Sequence, residues 1–250
     1  MASNFQENGI FEEQDDEGGM RTQELENVLN YFSAFNSSAS GTKIRQVRIL
    51  GVFPSDLIPF SHFLSSSRES SLCCIANTDP STKPGTHWVA FYRDLQNDSP
   101  LEFFDSYGQS PLSYGFFSGN SKFPKDLPLS FNNTILQSLT SNVCGQYCLL
   151  FLYLRMKSEC PSPLHFIINK MVKLAPNSQL RDKCVANLIS ALIRSQTTHS
   201  RKSSKRQFST KILVPFDTSE FPSSYLMPSS CSQCSHRSSF LFSSHSNVSE

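Results

Sequence analysis

A histidine, an aspartate, a glutamine and a cysteine occur in an order that could support nucleophilic catalysis. His87 could act as a general base, Asp105 could orient its imidazole, and Cys144 could attack a carbonyl carbon as a thiolate. Gln137 lies seven residues before the cysteine and could donate a side-chain N–H to the developing oxyanion. These residue types in this order predict a cysteine-based acyl-transfer site, of the kind that a cysteine protease uses.

The sequence around the histidine and the aspartate predicts that the two lie side by side. His87 belongs to the strand-like run 87–93, and Asp105 closes the run 101–104 where a turn begins. If these runs pair as neighbouring strands, the carboxylate can accept a hydrogen bond from one imidazole nitrogen. Two alternatives stay open, because His87 alone could be a satisfied core histidine and Asp105 alone could cap its turn.

The cysteine stands at the start of a helical pattern. Cys144 precedes an apolar stretch that extends to Met156 and predicts a helix buried on most faces. A helix N-terminus and a protonated histidine both lower the pKa of a thiol from about 8.5. Gly145 would let a substrate backbone come close while the Cys144 amide points at the oxyanion. The alternatives are a buried structural cysteine and, for Gln137, a solvated loop side chain.

The remaining elements must form a scaffold for these residues. Strands are expected at 47–52 and 72–76, with a hairpin loop over 95–99. Helices are expected to begin at Thr22 and to cover 178–194, and Ser55 or Asp56 could cap a short helix between them. Residues 106–134 have no steady period and are expected to form an irregular surface segment beside a cleft. Together these patterns predict an α+β domain.

Composition bounds the domain organisation and the class of protein. The 250 residues suffice for one domain, predicted at 22–194, between an acidic tail at 1–21 and a Ser-rich tail at 195–250. A net charge of +1 argues against a protein that mainly coats nucleic acid, although the basic cluster 201–206 could contact DNA or act as a nuclear address.

The eight cysteines are expected to be reduced thiols, because no signal peptide precedes them and their spacing is irregular. The run 147–154 is too short to cross a membrane, which requires about 20 residues. Cys231, Cys234 and His236 have only part of a zinc-site spacing, and no second ligand pair follows. We therefore expect no metal site and no membrane span.

Three motifs together resemble a known family. Gly-Thr-His87-Trp88, Phe-Phe-Asp105-Ser-Tyr-Gly and Gln137 followed by Cys144-Gly145 are similar to the adenovirus-type processing protease, adenain, and its relatives in virus-like Maverick/Polinton DNA transposons. The resemblance covers roughly residues 45–155. It implies an α+β, permuted papain-like cysteine protease fold, with a mixed sheet flanked by helices and the nucleophile at a helix N-terminus.

The resemblance also implies roles and substrates. It assigns Cys144 as nucleophile, His87 as base, Asp105 as the imidazole partner and Gln137 as oxyanion donor, with no cofactor needed for the chemistry. The implied substrates are precursor capsid or core proteins cut near Gly-Gly sites. A peptide or DNA activator, a monomeric state, and a location in the host nucleus or cytoplasm or with the virion are further expectations.

Two cues within the motifs point to different subfamilies. The spacing of seven between Gln137 and Cys144 resembles adenain, whereas ubiquitin-like-modifier proteases usually have six and an Asp where this chain has Val143. The acid Asp105 resembles the modifier proteases, since adenain has Glu. The alternatives are therefore a protease that removes ubiquitin-like modifiers and a protein that keeps the fold as an inactive binding module.

Overall fold

The computed structural model describes residues 19–38, 47–64, 70–96, 99–116, 123, 127–157 and 164–203; side chains of 33–38 and 195–203 are outside the description. The helices are α1 (Thr22–Ser38), α2 (Cys144–Lys157), α3 (Leu164–Val172) and α4 (Ser178–Ser203). The strands are β1 (Val47–Phe53), β2 (Ser71–Asn77), β3 (Trp88–Asp94), β4 (Leu101–Phe104) and β5 (Leu129–Phe131).

The five strands form one mixed sheet in the order β1-β2-β3-β4-β5. The two outer pairs are parallel, and the central pairs β2–β3 and β3–β4 are antiparallel. Because β3 and β4 run in opposite directions, the start of β3 lies beside the end of β4, with Ala90 opposite Phe104. This register brings the residues just outside both strands together, which are His87 and Asp105.

The sheet is covered on both faces. One face packs on a hydrophobic cluster that includes residues of all four helices, and its strand members include Cys73, Ile75, Ala90 and Tyr92. The other face carries the intervening strand residues Leu72, Cys74, Val89 and Phe91, which pack with Phe60, Phe63 and Phe116 from short helical turns and loops. The α+β class, with a mixed sheet and flanking helices, is confirmed.

Several predicted bounds differ from the structure. The last helix continues from Arg194 to Ser203, so the basic cluster 201–206 begins inside helical backbone. The short turn Ser55–Leu57 is a 3-10 helix that Pro54 precedes, without the predicted side-chain cap from Ser55 or Asp56. The segment 106–134 is not wholly irregular, because it holds a 3-10 turn at Pro111–Tyr114 and strand β5.

Some sequence expectations fall outside the described residues. These are the acidic residues 1–18, the hairpin residues Asn97 and Asp98, and the tail residues 204–250 with their Cys and His cluster. Within the described ranges, none of the helices combines the length and the apolar character that crossing a membrane requires. The described cysteines, Cys73, Cys74, Cys144, Cys148 and Cys184, are free thiols.

Candidate active site

The histidine and the aspartate meet where β3 begins and β4 ends. The Nε2 atom of His87 lies 2.7 Å from Oδ1 of Asp105. Asp105 is fully buried and His87 is 7% exposed. The pair is therefore shielded from water, as a hydrogen bond that must fix the orientation of an imidazole requires.

The carboxylate of Asp105 accepts four hydrogen bonds. Oδ1 accepts from His87 and from the Tyr107 amide at 2.9 Å. Oδ2 accepts from the Gln109 amide at 2.9 Å and from the Tyr114 hydroxyl at 2.9 Å. Asp105 thus caps its turn and also binds the imidazole, so both interpretations from the sequence hold.

The turn after Asp105 is locked to the segment that follows β5. Gly108 has a φ of +68°, and a Cβ there would lie 2.8 Å from the Thr134 backbone. Asn132 accepts from the Asp105 amide at 2.9 Å and donates to the Asp105 carbonyl at 2.7 Å. Only glycine fits both the left-handed conformation and this close approach. The glycine of the Asp-Ser-Tyr-Gly motif is therefore required by the geometry of this turn.

Two tyrosines cover the imidazole. The Tyr107 ring stacks on His87 with centroids 4.8 Å apart, and the Tyr114 ring lies at 5.8 Å with a 32° tilt. Burial and the negative charge of Asp105 raise the pKa of the Tyr114 hydroxyl, which keeps it a donor to Asp105. The aromatic faces can also favour a cationic ring, because the electrostatic field of each face is negative.

The charged form of His87 is stabilised by its two acidic neighbours. Burial alone lowers the pKa of the imidazole, but hydrogen bonds to Asp105 and to the Cys144 side chain, with the charges of both, raise it to about 9. Since Nε2 serves Asp105, the other ring nitrogen, Nδ1, is left for the sulfur. At neutral pH the ring beside the Cys144 side chain can therefore be an imidazolium.

Cys144 is the first residue of α2 and is 8% exposed. The first N–H groups of a helix have no partner within it, and their dipoles favour a negative sulfur. The expectation that this cysteine begins a helix is confirmed. Cys148, one turn further on, is fully buried, and burial holds its pKa well above the usual value. The thiol of Cys148 is therefore kept in its neutral form.

Gln137 lies in the loop between β5 and α2 and is 1% exposed, so it is not a solvated loop side chain. Its Oε1 accepts from the Ser106 hydroxyl at 2.7 Å. Its Nε2 donates to the Ser141 carbonyl at 2.6 Å and to the Tyr107 hydroxyl at 3.2 Å. Both amide hydrogens are thus engaged, so a substrate oxygen would have to replace one of the two acceptors. The Tyr107 hydroxyl is the more distant of the two.

The glycine after the cysteine has a different neighbour from the one expected. A Cβ at Gly145 would lie 3.2 Å from Leu25 and from Met20, and 3.4 Å from Trp88. The close approach at Gly145 is therefore made by the chain's own N-terminal segment, where the sequence predicted a substrate backbone. The Trp88 indole donates to the Met20 carbonyl at 3.0 Å, so this tryptophan also holds that segment in place.

Four residues that shape the site had no role predicted from the sequence: Ser106, Tyr107, Tyr114 and Asn132. Ser106 and Tyr107 follow Asp105 directly, so their place in the turn was the available signal. Tyr114 and Asn132 come from the segment without periodicity, where no local pattern indicates a contact. Among the described residues, no group of His, Cys, Asp and Glu could hold a metal ion.

Sequence comparison finds related proteins in a virus. The chain is 28% identical over 150 residues to the "Cysteine protease S273R" of African swine fever virus (isolate Tick/Malawi/Lil 20-1/1983), covering 56% of this chain and 54% of that protein. A second isolate (Pig/Kenya/KEN-50/1950) has a "SUMO-1 cysteine protease S273R" that is 27% identical over 150 residues, with the same coverage. This chain therefore spans about half the length of these curated relatives. No protein-family model matches it.

Solved structures show looser likenesses. The African swine fever virus pS273R protease covers 60% of this chain and 62% of its own, at 17% identity and a TM-score of 0.36. ChlaDub1 from Chlamydia trachomatis covers 70% of this chain and 90% of its own, at 14% identity and a TM-score of 0.44. Over about half its length this chain is similar in sequence to viral proteins named as cysteine proteases.

Proposed function

We propose that this chain is a cysteine-type endopeptidase with Cys144 as nucleophile. The observation that carries the proposal is that His87 is hydrogen-bonded to the fully buried Asp105, while the Cys144 side chain, at the first residue of a helix, also raises the pKa of the imidazole. A hydrogen-bonded acid, imidazole and thiol at a helix N-terminus is the arrangement that generates a thiolate near neutral pH. The names of the viral relatives support the same chemistry.

The proposed first step is formation of an acyl-enzyme. The Cys144 thiolate attacks the carbonyl carbon of the peptide bond, and the electron pair of the C=O bond moves to the oxygen. The N–H groups at the start of α2 and the amide of Gln137 would stabilise this oxyanion. His87 then donates its Nδ1 proton to the leaving amine, and the C–N bond breaks.

Hydrolysis of the acyl-enzyme would complete the cycle. The neutral His87 ring removes a proton from water, the hydroxide adds to the thioester carbonyl, and the sulfur leaves as a thiolate. Asp105 keeps the ring in one orientation in both steps, because its Oδ1 accepts from Nε2 throughout. The reaction needs no metal or organic cofactor.

Two substrate classes fit this chemistry. The first is a precursor of capsid or core type, cut near Gly-Gly sites, as the resemblance to adenain implies. The second is a conjugate of a ubiquitin-like modifier, supported by the acid Asp105 and by a relative named as a SUMO-1 cysteine protease. We also propose a monomeric state, DNA contact through 201–206 and a peptide or DNA activator. The proposed location is the nucleus, the cytoplasm or the virion.

Labelling of Cys144 with an electrophilic thiol probe across pH tests the proposed chemistry. We expect labelling of Cys144 to persist below about pH 7 and to weaken in His87→Ala, because the imidazolium stabilises the thiolate. Cys148→Ala is a matched control, since it removes the buried thiol of the same helix and should leave labelling unchanged. Equal labelling of the parent and of His87→Ala would favour an inactive binding protein with this fold.

Turnover separates the two substrate classes. A short peptide with an internal Gly-Gly site and a folded modifier conjugate would be compared at equal concentration, with Cys144→Ala as the blank. Preference for the peptide by kcat/KM supports a precursor-processing enzyme. Preference for the folded conjugate supports the modifier protease instead.

A further inference from the structure

The loop that carries Gln137 is fastened to the start of α4 by a buried carboxylate. Oδ2 of Asp182 accepts from the Ser138 amide at 3.1 Å and from the Ser138 hydroxyl at 2.5 Å. Oδ1 of Asp182 accepts from the Tyr147 hydroxyl at 2.9 Å. Asp182 is only 6% exposed, so these bonds form away from bulk water. One charged group thus joins the loop, α2 and α4.

The neighbouring arginine holds the other side of the same loop. Arg181 donates through Nη1 to the Leu136 carbonyl at 2.7 Å and through Nη2 to the Ala175 carbonyl at 3.3 Å. The Tyr147 hydroxyl also lies 3.2 Å from the Leu136 carbonyl. Gln137 therefore lies between Leu136 and Ser138, which are both hydrogen-bonded to the start of α4.

We propose that Asp182 is a positioning residue that holds Gln137 where its amide can stabilise the oxyanion. The inference deepens the proposed function and rests on it. A hydrogen-bond donor aids the reaction only at about 2.7–3.1 Å from the developing charge, and misplacement by about 1 Å can cost about a hundredfold in rate. Asp182 acts on the oxyanion donor through Ser138, whereas the thiolate is stabilised by His87 and Asp105.

Two reactions of Cys144 separate these roles. Iodoacetamide reports the thiolate alone, because the S–C bond forms as the C–I bond breaks and iodide leaves, without an oxyanion. A peptide aldehyde reports both, because addition of the thiolate to its carbonyl carbon places negative charge on the oxygen. For Asp182→Asn we expect alkylation within about twofold of the parent, and turnover and aldehyde affinity each reduced about ten- to a hundredfold.

Ser138→Ala is a milder second variant, since it removes the 2.5 Å bond and keeps the backbone one. Tyr92→Phe is a control for the loss of a buried hydrogen bond elsewhere, because the Tyr92 hydroxyl donates to Ser71 at 3.0 Å. It should leave alkylation, turnover and aldehyde affinity unchanged. All rates are measured well below the unfolding temperature of each variant.

A double-mutant cycle with Gln137→Ala tests whether the effect passes through that residue. If Asp182 acts through Gln137, Asp182→Asn should lower turnover much less in the Gln137→Ala variant than in the parent. Additive losses would overturn the inference, as would an equal fall in alkylation and turnover or no change in either. A parent that neither alkylates selectively at Cys144 nor turns over would overturn the proposed function itself, and the inference with it.

Discussion

Two buried carboxylates lie three residues apart, and they use different partners. Glu102 is inside β4 and accepts from Nε of Arg155 on α2 at 2.6 Å, with a second bond from Nη2. Asp105 lies just past the end of β4 and binds His87. Burial raises the pKa of Glu102, whereas the arginine opposes that shift. One acid has a permanently charged partner and the other has a partner that can exchange a proton.

The difference shows how one strand can serve two purposes. The Glu102–Arg155 pair joins the last turns of α2 to the sheet. At the other end of the same helix, His87 interacts with its first residue, Cys144. A buried arginine pair fixes position but is a weak source of net stability. A histidine pair at the other end of the helix fixes position and also moves protons. The helix is thus held at both ends, with chemistry at only one.

The largest expected effect comes from removing the charge of the site acid. Asp105→Asn should lower kcat by about ten thousandfold, because the amide no longer selects the required imidazole tautomer. Glu102→Gln is the matched change on the same strand, and in folded protein it should lower kcat less than about tenfold. Steady-state turnover of both variants checks the contrast, and a similar loss in both would contradict it.

Breaking the structural pair should affect stability instead. Arg155→Met leaves Glu102 buried without its cation and should lower the free energy of unfolding by about 3–5 kcal/mol. Alkylation of Cys144 in the folded fraction should stay unchanged. Denaturant unfolding measures the loss, and the double variant Glu102→Leu/Arg155→Met should recover most of it. A double variant as unstable as the single one would argue against an unpaired charge as the cause.

The histidine pair should give stability its own pH dependence. The pKa of His87 is about 9 in the folded chain, against about 6.5 in an unfolded one. The folded state binds this proton more tightly, so the stabilisation is complete below about pH 6.5 and is lost as pH rises through about 9. Unfolding of the parent and His87→Gln at about pH 6 and pH 9.5 measures it. The difference in unfolding free energy between the parent and His87→Gln should be smaller at about pH 9.5 than at about pH 6.

Two glycines with positive φ provide a matched pair of substitutions. Gly108→Ala combines a left-handed backbone with a Cβ 2.8 Å from the Thr134 backbone, whereas Gly115→Ala has the same strain in open space. The second should cost about 1–2 kcal/mol and the first should cost more. Only Gly108→Ala should also lower turnover, because it displaces the turn that binds Asp105. Equal costs in thermal unfolding would contradict the close contact.

The smallest effect is expected from one of the four donors to Asp105. Tyr114→Phe removes a single hydrogen bond of 2.9 Å and keeps the ring beside His87. It should cost about 0.5–1.5 kcal/mol in unfolding free energy and less than about tenfold in kcat. A loss as large as that of Asp105→Asn would mean that Tyr114 itself takes part in the reaction.

The sequence predicted the long elements and the pair of residues they bring together. Strands β2, β3 and β4 and helices α1 and α2 have apolar runs or periods that the sequence shows, and antiparallel pairing of β3 with β4 is enough to bring His87 to Asp105. Helix α3 was missed, although its buried residues Leu164, Ile167, Ile168 and Met171 follow a helical spacing. Strand β5 has only three residues, too few to show alternation.

The surroundings of the site were less predictable, because they depend on contacts between distant segments. Asp182 is 44 residues from Ser138 in the chain, and Asn132 is 27 residues from Asp105. Neither contact follows from a local pattern. The packing of Met20 beside Gly145 was not predicted for a similar reason, since Met20 lies far away in the sequence. The catalytic roles of the four site residues stay predictions until the variants are measured.

The contact of Met20 with Gly145 and Trp88 bears on how short an active version of this protein can be. A fragment beginning at Thr22 would keep every residue proposed to take part in the reaction. It would lose the carbonyl that accepts from the Trp88 indole and the side chain that packs on the residue after the nucleophile. We therefore expect the smallest active fragment to begin before α1, and a tag fused at Thr22 to lie next to the site.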